Sequence, residues 1–559
     1  MRILSPASLI LTATLTFAQT PAPPAAVTTA AISGTVKDKA TGAPLKDFTV
    51  STYINANWAN GGITMTAATK QISSTTDEQG HYKLSDIPPA QYQVRVQGPR
   101  GFAGATTRIV TTAGRDLEGI DFGVSVTGTV AGKIVDENKE PLPNMTVFLV
   151  SKEYYLGSVG YFLRSTGRTN DLGEYSIANV EASRNYYLVA EARRLNLPAH
   201  SEVPLNPQMR RQIPMRTWYP SSPDREGAAP LQIRPGEHRE GVDIQVRKSV
   251  SYCVSGIAAT PNGPTALNVS VEPLGPSSGV SSAGGMFMSS PSTTTGADGE
   301  FRFCELYPGS YRLTASERNA GPNSTWGITA ITVADRDLAD LRLSTTPGIS
   351  LDAEAVLEGA PPPTPITVKP NINLTPLLRT QFPGEKSGGR PDIPGTITLS
   401  GLLLDTYGIR ATVNSPGLYI KDVTYGDRSV QYSPLQLGTT LAGTGLRVTI
   451  AQDGATLTAK VTDKDGNPVA DTTVIAIPAG VTSEGVLAAR IVSGPTDQLG
   501  QYKSDTLPPG KYYVLATRDS YDMTPESIGK LWQSHTRYQE VELAPKGTAQ
   551  VNLQPTNIQ

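Results

Sequence analysis

Groups able to carry out chemistry are scarce in this sequence. Only four histidines and two cysteines occur among 559 residues. The histidines are His81, His200, His238 and His535, and none lies in an HxxE or HExxH arrangement, so no zinc-hydrolase motif is present. No serine has an obvious histidine partner, and the sequence has no nucleotide-binding glycine loop. We therefore predict no catalytic residue, no metal site, no cofactor and no enzymatic activity.

Charge and long apolar runs are equally scarce. Charged residues make up 18% of the chain and the formal net charge is −2, which lacks the basic footprint of a nucleic-acid-binding protein. The one long apolar stretch, 3–17, follows Arg2 and ends near the small residues Thr16 and Ala18. This pattern predicts a signal peptide at 1–18, although a buried strand or helix is the alternative interpretation. We expect export to the periplasm, the cell surface or the outside, with no transmembrane segment in the mature chain.

Glycine and proline are abundant, at 53 and 45 residues. Such turn-forming residues between short β-branched runs are typical of an all-β chain. The length predicts about three to five domains. Residues 524–535 form the one segment with helix signals, because Thr524 can cap a helix and Pro525 suits its first turn.

An internal repeat organises the chain. Four segments carry a threonine, a glycine four residues later, an aromatic residue two residues after that, and a second tyrosine about ten residues on. They are 75–96, 169–190, 295–315 and 496–516. The glycine permits a sharp turn and the aromatic residues alternate with polar ones, as in a strand over a core. We therefore interpret the motif as strand, turn and strand, in preference to a ligand site.

This motif and the pieces around it resemble the carboxypeptidase regulatory-like domain. Each copy follows a strand–turn–strand piece such as "ISGTVKDKATGAPLKDFTV" and precedes an alternating final strand such as "GRDLEGIDFGV". The resemblance implies a prealbumin-like or immunoglobulin-like β-sandwich, of the transthyretin-like type that is grouped with carbohydrate-binding folds. The zinc peptidase domain that precedes this domain in metallocarboxypeptidases has no counterpart in the sequence.

The repeat spacing predicts a tandem array of about five β-sandwich modules. A Pro/Ala/Thr linker at 19–30 follows the signal peptide. The modules are 31–124 (module 1), 125–248 (module 2), 249–346 (module 3), 347–452 (module 4) and 453–559 (module 5). Module 4 is divergent: 348–359 resembles the other first strands, and 395–413 with 417–430 resembles a decayed copy of the repeat motif.

The two cysteines, Cys253 and Cys304, both fall in module 3. They lie on strands predicted to be neighbours, and both side chains are predicted to face outward from the core. An exported protein also meets an oxidising compartment, where disulfides form. We predict a disulfide between them, with two free thiols as the alternative.

Function should lie in the connections that differ between modules, because the frame is repeated. The candidate ligand-binding residues are the aromatic side chains of these connections: Trp58, Tyr154, Tyr155, Tyr161, Trp218 and Tyr219. Aromatic rings beside amides can stack on sugars, but they can equally form lids over the ends of the sandwiches. We predict a non-catalytic protein that binds carbohydrate or cell-envelope partners, or acts as a spacer. A secreted hydrolase with an unrecognised site and an accessory subunit of an outer-membrane transporter are the alternatives.

Overall fold

The computed structural model describes most of the chain. The described residues are 29–53, 71–89, 91–110, 114–182, 184–192, 212–273, 281–282, 285–286, 291–317, 324–359, 366–377, 385–415, 417–438, 445–519 and 521–558. The predicted signal peptide and most of the predicted linker lie outside them, and so does Trp58. Within the described residues β-strands dominate, which confirms the all-β prediction.

Modules 1 and 2 contain the first eighteen strands. Module 1 has β1 (Ala30–Asp38), β2 (Thr49–Tyr53), β3 (Ser73–Thr75), β4 (His81–Ile87), β5 (Gln91–Gln97), β6 (Ala105–Val110) and β7 (Phe122–Val124). Module 2 has β8 (Gly128–Val135), β9 (Met145–Tyr155), β10 (Ser158–Arg168), β11 (Glu174–Val180), β12 (Asn185–Ala192), β13 (Gln212–Pro214), β14 (Thr217–Trp218), β15 (Leu231–Gln232), β16 (His238–Arg239) and β17 (Ile244–Gln245), and β18 (Lys248–Val250) crosses into module 3.

Modules 3 and 4 continue the series. Module 3 has β19 (Tyr252–Thr260), β20 (Gly263–Pro264), β21 (Leu267–Pro273), β22 (Ser281–Ser282), β23 (Gly285–Met286), β24 (Ser292–Thr294), β25 (Glu300–Leu306), β26 (Gly309–Glu317), β27 (Thr325–Val333) and β28 (Leu338–Ser344), and β29 (Thr346–Pro347) leads into module 4. Module 4 has β30 (Ile349–Leu357), β31 (Asn371–Pro376), β32 (Gly388–Gly389), β33 (Gly395–Leu402), β34 (Thr406–Thr412), β35 (Tyr419–Tyr425), β36 (Arg428–Ser429), β37 (Leu435–Gln436) and β38 (Leu446–Ala451).

Module 5 combines strands with two helices. It has β39 (Thr456–Val461), β40 (Thr473–Pro478), α1 (Glu484–Arg490), β41 (Val492–Pro495), β42 (Gln501–Lys503), β43 (Gly510–Thr517), α2 (Pro525–Ser534), β44 (Gln539–Leu543) and β45 (Thr548–Leu553). The predicted helix is confirmed as α2, where the Thr524 side chain accepts a hydrogen bond from the Ser527 amide. Helix α1 was missed by the sequence reasoning. The longer of these two helices has ten residues, and within the described part no helix is both long and apolar enough to cross a bilayer.

All five modules share one topology. In each, the first strand is central in its sheet, antiparallel to the first strand of the repeat motif and parallel to a late strand, as in the order β4-β1-β7. The second sheet is antiparallel and has the order β3-β2-β5-β6 in module 1. Apolar side chains of the two inner faces form one buried cluster in each module, as expected for β-sandwiches.

In modules 1, 2, 3 and 5 the motif threonine binds the connection that leads into the second strand. Thr496 is fully buried; its hydroxyl accepts from the Thr472 amide at 3.1 Å and donates to the Val469 carbonyl at 2.8 Å. Thr76, Thr169 and Thr295 make the corresponding pair of bonds in their own modules. The motif therefore satisfies buried backbone groups, which supports the structural interpretation.

Replacement of Thr496 by valine keeps the shape of the side chain but removes both hydrogen bonds. We expect a loss of about 2 kcal/mol in local stability, because a buried amide and a buried carbonyl lose their partner. Hydrogen exchange measured on module 5 peptides checks this. Thr548→Val is the matched control, since Thr548 is exposed on β45; an equal loss in both variants would contradict the role assigned to Thr496.

The motif glycines and second tyrosines are equally structural. Gly299 has φ of +72°, and a Cβ there would lie 2.1 Å from the Ala258 carbonyl oxygen. In modules 1, 3 and 5 the second tyrosine hydroxyl donates to a carbonyl four residues upstream, as Tyr512 does to Pro508 at 2.9 Å. In module 2 the Tyr186 hydroxyl donates to the Glu181 carbonyl, five residues upstream. In module 4, Tyr407 donates to the Leu403 carbonyl in the same way, at 3.2 Å.

This tyrosine relates module 4 to the other modules. Strand β33 pairs with the first strand β30, and β34 pairs with β31, as the two motif strands do elsewhere. Residues 395–413 are therefore the counterpart of the repeat motif. The motif's threonine is absent there and Tyr407 remains, so the copy is decayed in sequence.

The predicted disulfide between Cys253 and Cys304 is confirmed. The two residues lie on the neighbouring strands β19 and β25, beside the register pair Val254 and Phe303. Cys253 is buried and Cys304 is half-buried. The disulfide is therefore less exposed than expected for two side chains that face outward.

Candidate functional site

Two of the predicted ligand-binding aromatics are buried. Trp218 is 1% exposed and Tyr161 is 6% exposed. They pack edge to face, with ring centroids 5.5 Å apart, in a cluster on the second sheet of module 2. The Arg225 guanidinium lies over the Tyr161 ring, 4.7 Å from its centroid. This burial favours a packing role, which was the alternative to ligand binding. Neither ring offers a stacking surface to a ligand in this structure.

Tyr219 is half-buried and packs against the core cluster of module 2. Its amide donates to the Leu188 carbonyl at 3.0 Å. Its position supports a lid over the module 2 sandwich, and nothing in its surroundings adds to the binding prediction.

Tyr154 and Tyr155 are placed differently, at the end of the long β9–β10 hairpin. The strands pair up to the register pair Tyr155 and Ser158, so Leu156 and Gly157 form the turn. Both have positive φ, +49° and +79°, as a two-residue hairpin turn of this kind requires. The hairpin thus carries its two tyrosines to the tip, where they meet other modules.

The tip docks on module 5, more than 300 residues away in sequence. The Tyr154 amide donates to the Met523 carbonyl at 2.7 Å, and its hydroxyl donates to Glu484 Oε2 on α1 at 2.9 Å. Burial and then the hydrogen bond to the Glu484 carboxylate raise the pKa of Tyr154 to about 12. Tyr154 therefore stays a neutral donor at physiological pH and holds the contact.

An ionic network runs beside this contact. Glu153 Oε1 accepts from Arg184 at 3.0 Å and also pairs with Arg164. The Arg184 guanidinium lies 4.0 Å from the Asp522 carboxylate, which also accepts from the Thr524 hydroxyl at the start of α2. The network therefore links module 2 to the capping region of the module 5 helix.

Close backbone packing completes the docking. A Cβ on Gly485 of α1 would lie 2.5 Å from the Gly157 carbonyl oxygen, so helix and hairpin touch through two glycines. A Cβ on Gly408 would lie 2.8 Å from Leu156 Cδ1, which places the hairpin tip against module 4 as well. The tip therefore sits where modules 2, 4 and 5 meet, and the backbone contact between Gly157 and Gly485 leaves no room for a larger residue at 485.

Modules 1 and 4 are joined to module 5 by further contacts. The Thr107 hydroxyl of module 1 donates to the Asp471 carboxylate. In module 4, the Gly417 amide donates to the Thr506 hydroxyl at 3.1 Å, and Arg490 of α1 lies over the Tyr432 ring, 5.0 Å from its centroid. Modules 1, 2, 4 and 5 thus surround one space.

This space, named here the central cleft, has a volume of about 1650 Å³. It is larger than the usual 300–1000 Å³ pocket for a small ligand, and suits an extended ligand. One of its walls is the outer face of the module 5 sheet β42-β39-β45, which contributes Thr458, Lys460, Gln501, Lys503 and Gln550. The hairpin tip of module 2 contributes Tyr154, Tyr155 and Leu156.

Tyr155 is the accessible aromatic of the cleft. Among the other described tyrosines of the lining, four are buried: Tyr92, Tyr419, Tyr502 and Tyr512. The Tyr154 hydroxyl is bonded to Glu484, and Arg490 covers Tyr432. Tyr155 is half-buried and is held edge to face by Phe162, with ring centroids 6.0 Å apart. It also borders an adjoining 390 Å³ cavity that includes Arg410 and Asn373.

Groups for catalysis are sparse in the cleft. No cluster of three or more potential metal ligands occurs in the described part of the chain. Burial raises the pKa of Asp497, yet its Oδ1 accepts from the Leu499 and Gln501 amides. Asp77 makes the same turn contacts in module 1, away from the cleft. The Asp497 carboxylate thus has a turn-forming role that does not depend on the cleft.

Comparison with known proteins bears on the first module. Residues 31–125 match the family model of the carboxypeptidase regulatory-like domain, which confirms the resemblance stated above for module 1. Domains of this family are generally non-catalytic β-sandwiches. No curated protein matches the chain.

Solved structures with some similarity include two pilins and a third bacterial protein. A streptococcal ancillary pilin is 14% identical over 57% of this chain and 99% of the pilin, with a TM-score of 0.20. The Bacillus anthracis TIE protein is 11% identical over 83% of this chain and 71% of its own, with a TM-score of 0.16. A minor pilin of Streptococcus agalactiae is 11% identical over 39% of this chain and 96% of its own, with a TM-score of 0.21. Scores this low do not indicate a common whole-chain arrangement.

Proposed function

We propose that this chain is an exported, non-catalytic β-sandwich protein that binds carbohydrate in its central cleft. The observation that carries the proposal is the position of Tyr155, an accessible aromatic ring that borders the 1650 Å³ cleft formed by four modules. The disulfide supports export, because such bonds persist in oxidising compartments. The predicted signal peptide points the same way.

The chemistry of the walls suits a sugar ligand. Four amide side chains line the cleft, at Asn414, Gln431, Gln501 and Gln550. Amides both donate and accept hydrogen bonds and so match the hydroxyl groups of a sugar. A ring such as that of Tyr155 offers an apolar surface to the C–H face of a sugar while its hydroxyl remains available to water.

Replacement of Tyr155 by alanine tests this function. After a glycan array has identified a ligand, we expect Tyr155→Ala to weaken binding about tenfold by calorimetry, since the loss of an aromatic contact and its buried area costs about 1.4 kcal/mol. Tyr155→Trp should retain binding because it keeps a stacking surface. Tyr513→Ala is the control, as that half-buried tyrosine packs on His535 away from the cleft.

Two outcomes would contradict the proposal. Absence of binding on a broad array, or equal binding by Tyr155→Ala and the unmodified protein, would reject the cleft as a carbohydrate site. Release of new reducing ends from a bound glycan would favour the alternative of a hydrolase.

A further inference from the structure

The charges around the central cleft are unbalanced. Among the residues that the structure describes, four cationic side chains line it, Arg410, Lys460, Arg490 and Lys503, against two carboxylates, Asp497 and Asp505. The formal net charge of the whole chain is −2, so this excess is local. The cleft therefore differs in charge from the molecule that contains it.

Three of the four cations are available to a ligand. Arg490 packs over the Tyr432 ring and so forms part of the cleft wall. Arg410, Lys460 and Lys503 are exposed, and none forms an ion pair within the described part of the chain. Some lysines on other β-strands do pair with carboxylates, as Lys133 does with Glu174 at 3.1 Å and Lys511 with Glu540 at 2.8 Å.

The two lysines share one sheet face. Lys503 on β42 pairs in register with Thr458 on β39, and Lys460 is two residues further along β39. Side chains related in this diagonal way are roughly 7–8 Å apart at their bases. Lys460 and Lys503 can therefore reach two negative groups that follow each other along an extended ligand.

We propose that the central cleft selects acidic polysaccharides, whose sugar residues carry carboxylates, over neutral ones. The inference rests on the proposed function, because it names the class of glycan for the same site. Sugar rings contact Tyr155 and the amides, while successive carboxylates pair with Lys460, Lys503 and Arg410. Partial enclosure by four modules strengthens these pairs relative to pairs in open solvent.

A matched pair of ligands tests the inference. Polygalacturonate fragments and the same fragments with methyl-esterified carboxyls differ in charge but keep the same sugar rings. We expect the acid form to bind the full-length protein at least tenfold more tightly at low salt, with the difference shrinking at high salt because charge pairs are screened. The double variant Lys460→Gln/Lys503→Gln should lose this preference and keep its affinity for the ester.

The control variant is Lys37→Gln/Lys83→Gln. Lys83 follows Tyr82 on β4 and pairs with Ser33 on the first strand, as Lys503 follows Tyr502 and pairs with Thr458. Both control lysines are exposed and lie outside the cleft lining. The acid preference should therefore survive in this variant.

The outcomes separate the two proposals. Equal binding of acid and ester forms, or an acid preference that survives Lys460→Gln/Lys503→Gln, would overturn the charge selectivity and leave the carbohydrate function standing. Failure of both forms and of a broad glycan array would reject the carbohydrate function itself. Polyaspartate that binds as tightly as polygalacturonate would reduce the cleft to a simple anion binder and overturn the inference.

Discussion

Opening the Cys253–Cys304 disulfide should lower the free energy of unfolding of module 3 by about 4 kcal/mol. The bond closes a loop with a sequence separation of 51 residues. In the chain-entropy model a loop of this length restricts the unfolded chain by about that amount. The bridge also links the first strand of the module to the first strand of its repeat motif, so its loss acts on the centre of one sheet.

The measurement compares the oxidised protein with the variant Cys253→Ala/Cys304→Ala. Hydrogen exchange resolves the modules, so peptides from β19 and β25 should exchange faster while those from β39 and β42 keep their protection. Added reductant should reproduce the effect in the unmodified protein and change nothing in the variant. A loss below about 1 kcal/mol, or an equal loss in module 5, would contradict the prediction.

The repeat motif could be interpreted from sequence because its determinants are local. A glycine with positive φ, such as Gly500, and an alternating strand, such as that of Tyr502, act within a few residues of their own position. The same holds for the cap of α2 at Thr524. The array of sandwiches was therefore predictable, and the module limits stay a prediction.

Helix α1 escaped prediction because its signals are weak. It has seven residues, and a glycine follows directly on its first residue. Glycine is unfavourable in helices by about 1 kcal/mol relative to alanine. Its cap, Ser483, is one of many serines in the sequence, and the helix depends on packing against module 2 and β40.

The candidate site could be predicted only in part. Tyr154 and Tyr155 were singled out as aromatic residues in a variable connection, and they do line the central cleft. The same criterion selected Trp218, which is buried. Composition does not distinguish an aromatic ring that packs against the sandwich from one that is open to a ligand. The other walls come from residues such as Lys460 and Arg410, whose proximity to the hairpin depends on contacts between distant modules.

Replacement of Gly485 by alanine should undock module 2 from module 5. The new Cβ would lie 2.5 Å from the Gly157 carbonyl oxygen, and a backbone atom cannot yield as a side-chain end can. Overpacking of this kind costs about 1–3 kcal/mol, which exceeds the helix propensity gained by removing a glycine. We expect faster hydrogen exchange at the hairpin tip and at α1, a larger radius of gyration, and loss of the cleft's ligand affinity.

Gly529→Ala is the matched control, because it makes the same exchange inside α2. The nearest atom to a Cβ there is Glu484 Oε1 at 3.7 Å, an ordinary contact. This variant should gain about 0.5–1 kcal/mol, since alanine favours a helix and nothing has to move. The two substitutions are thus expected to have opposite signs, and destabilisation by both, or by neither, would show that the Gly157–Gly485 contact does not hold the modules together. If the two stability changes do have opposite signs, the cleft depends on a contact between two glycines that lie 328 positions apart in the sequence.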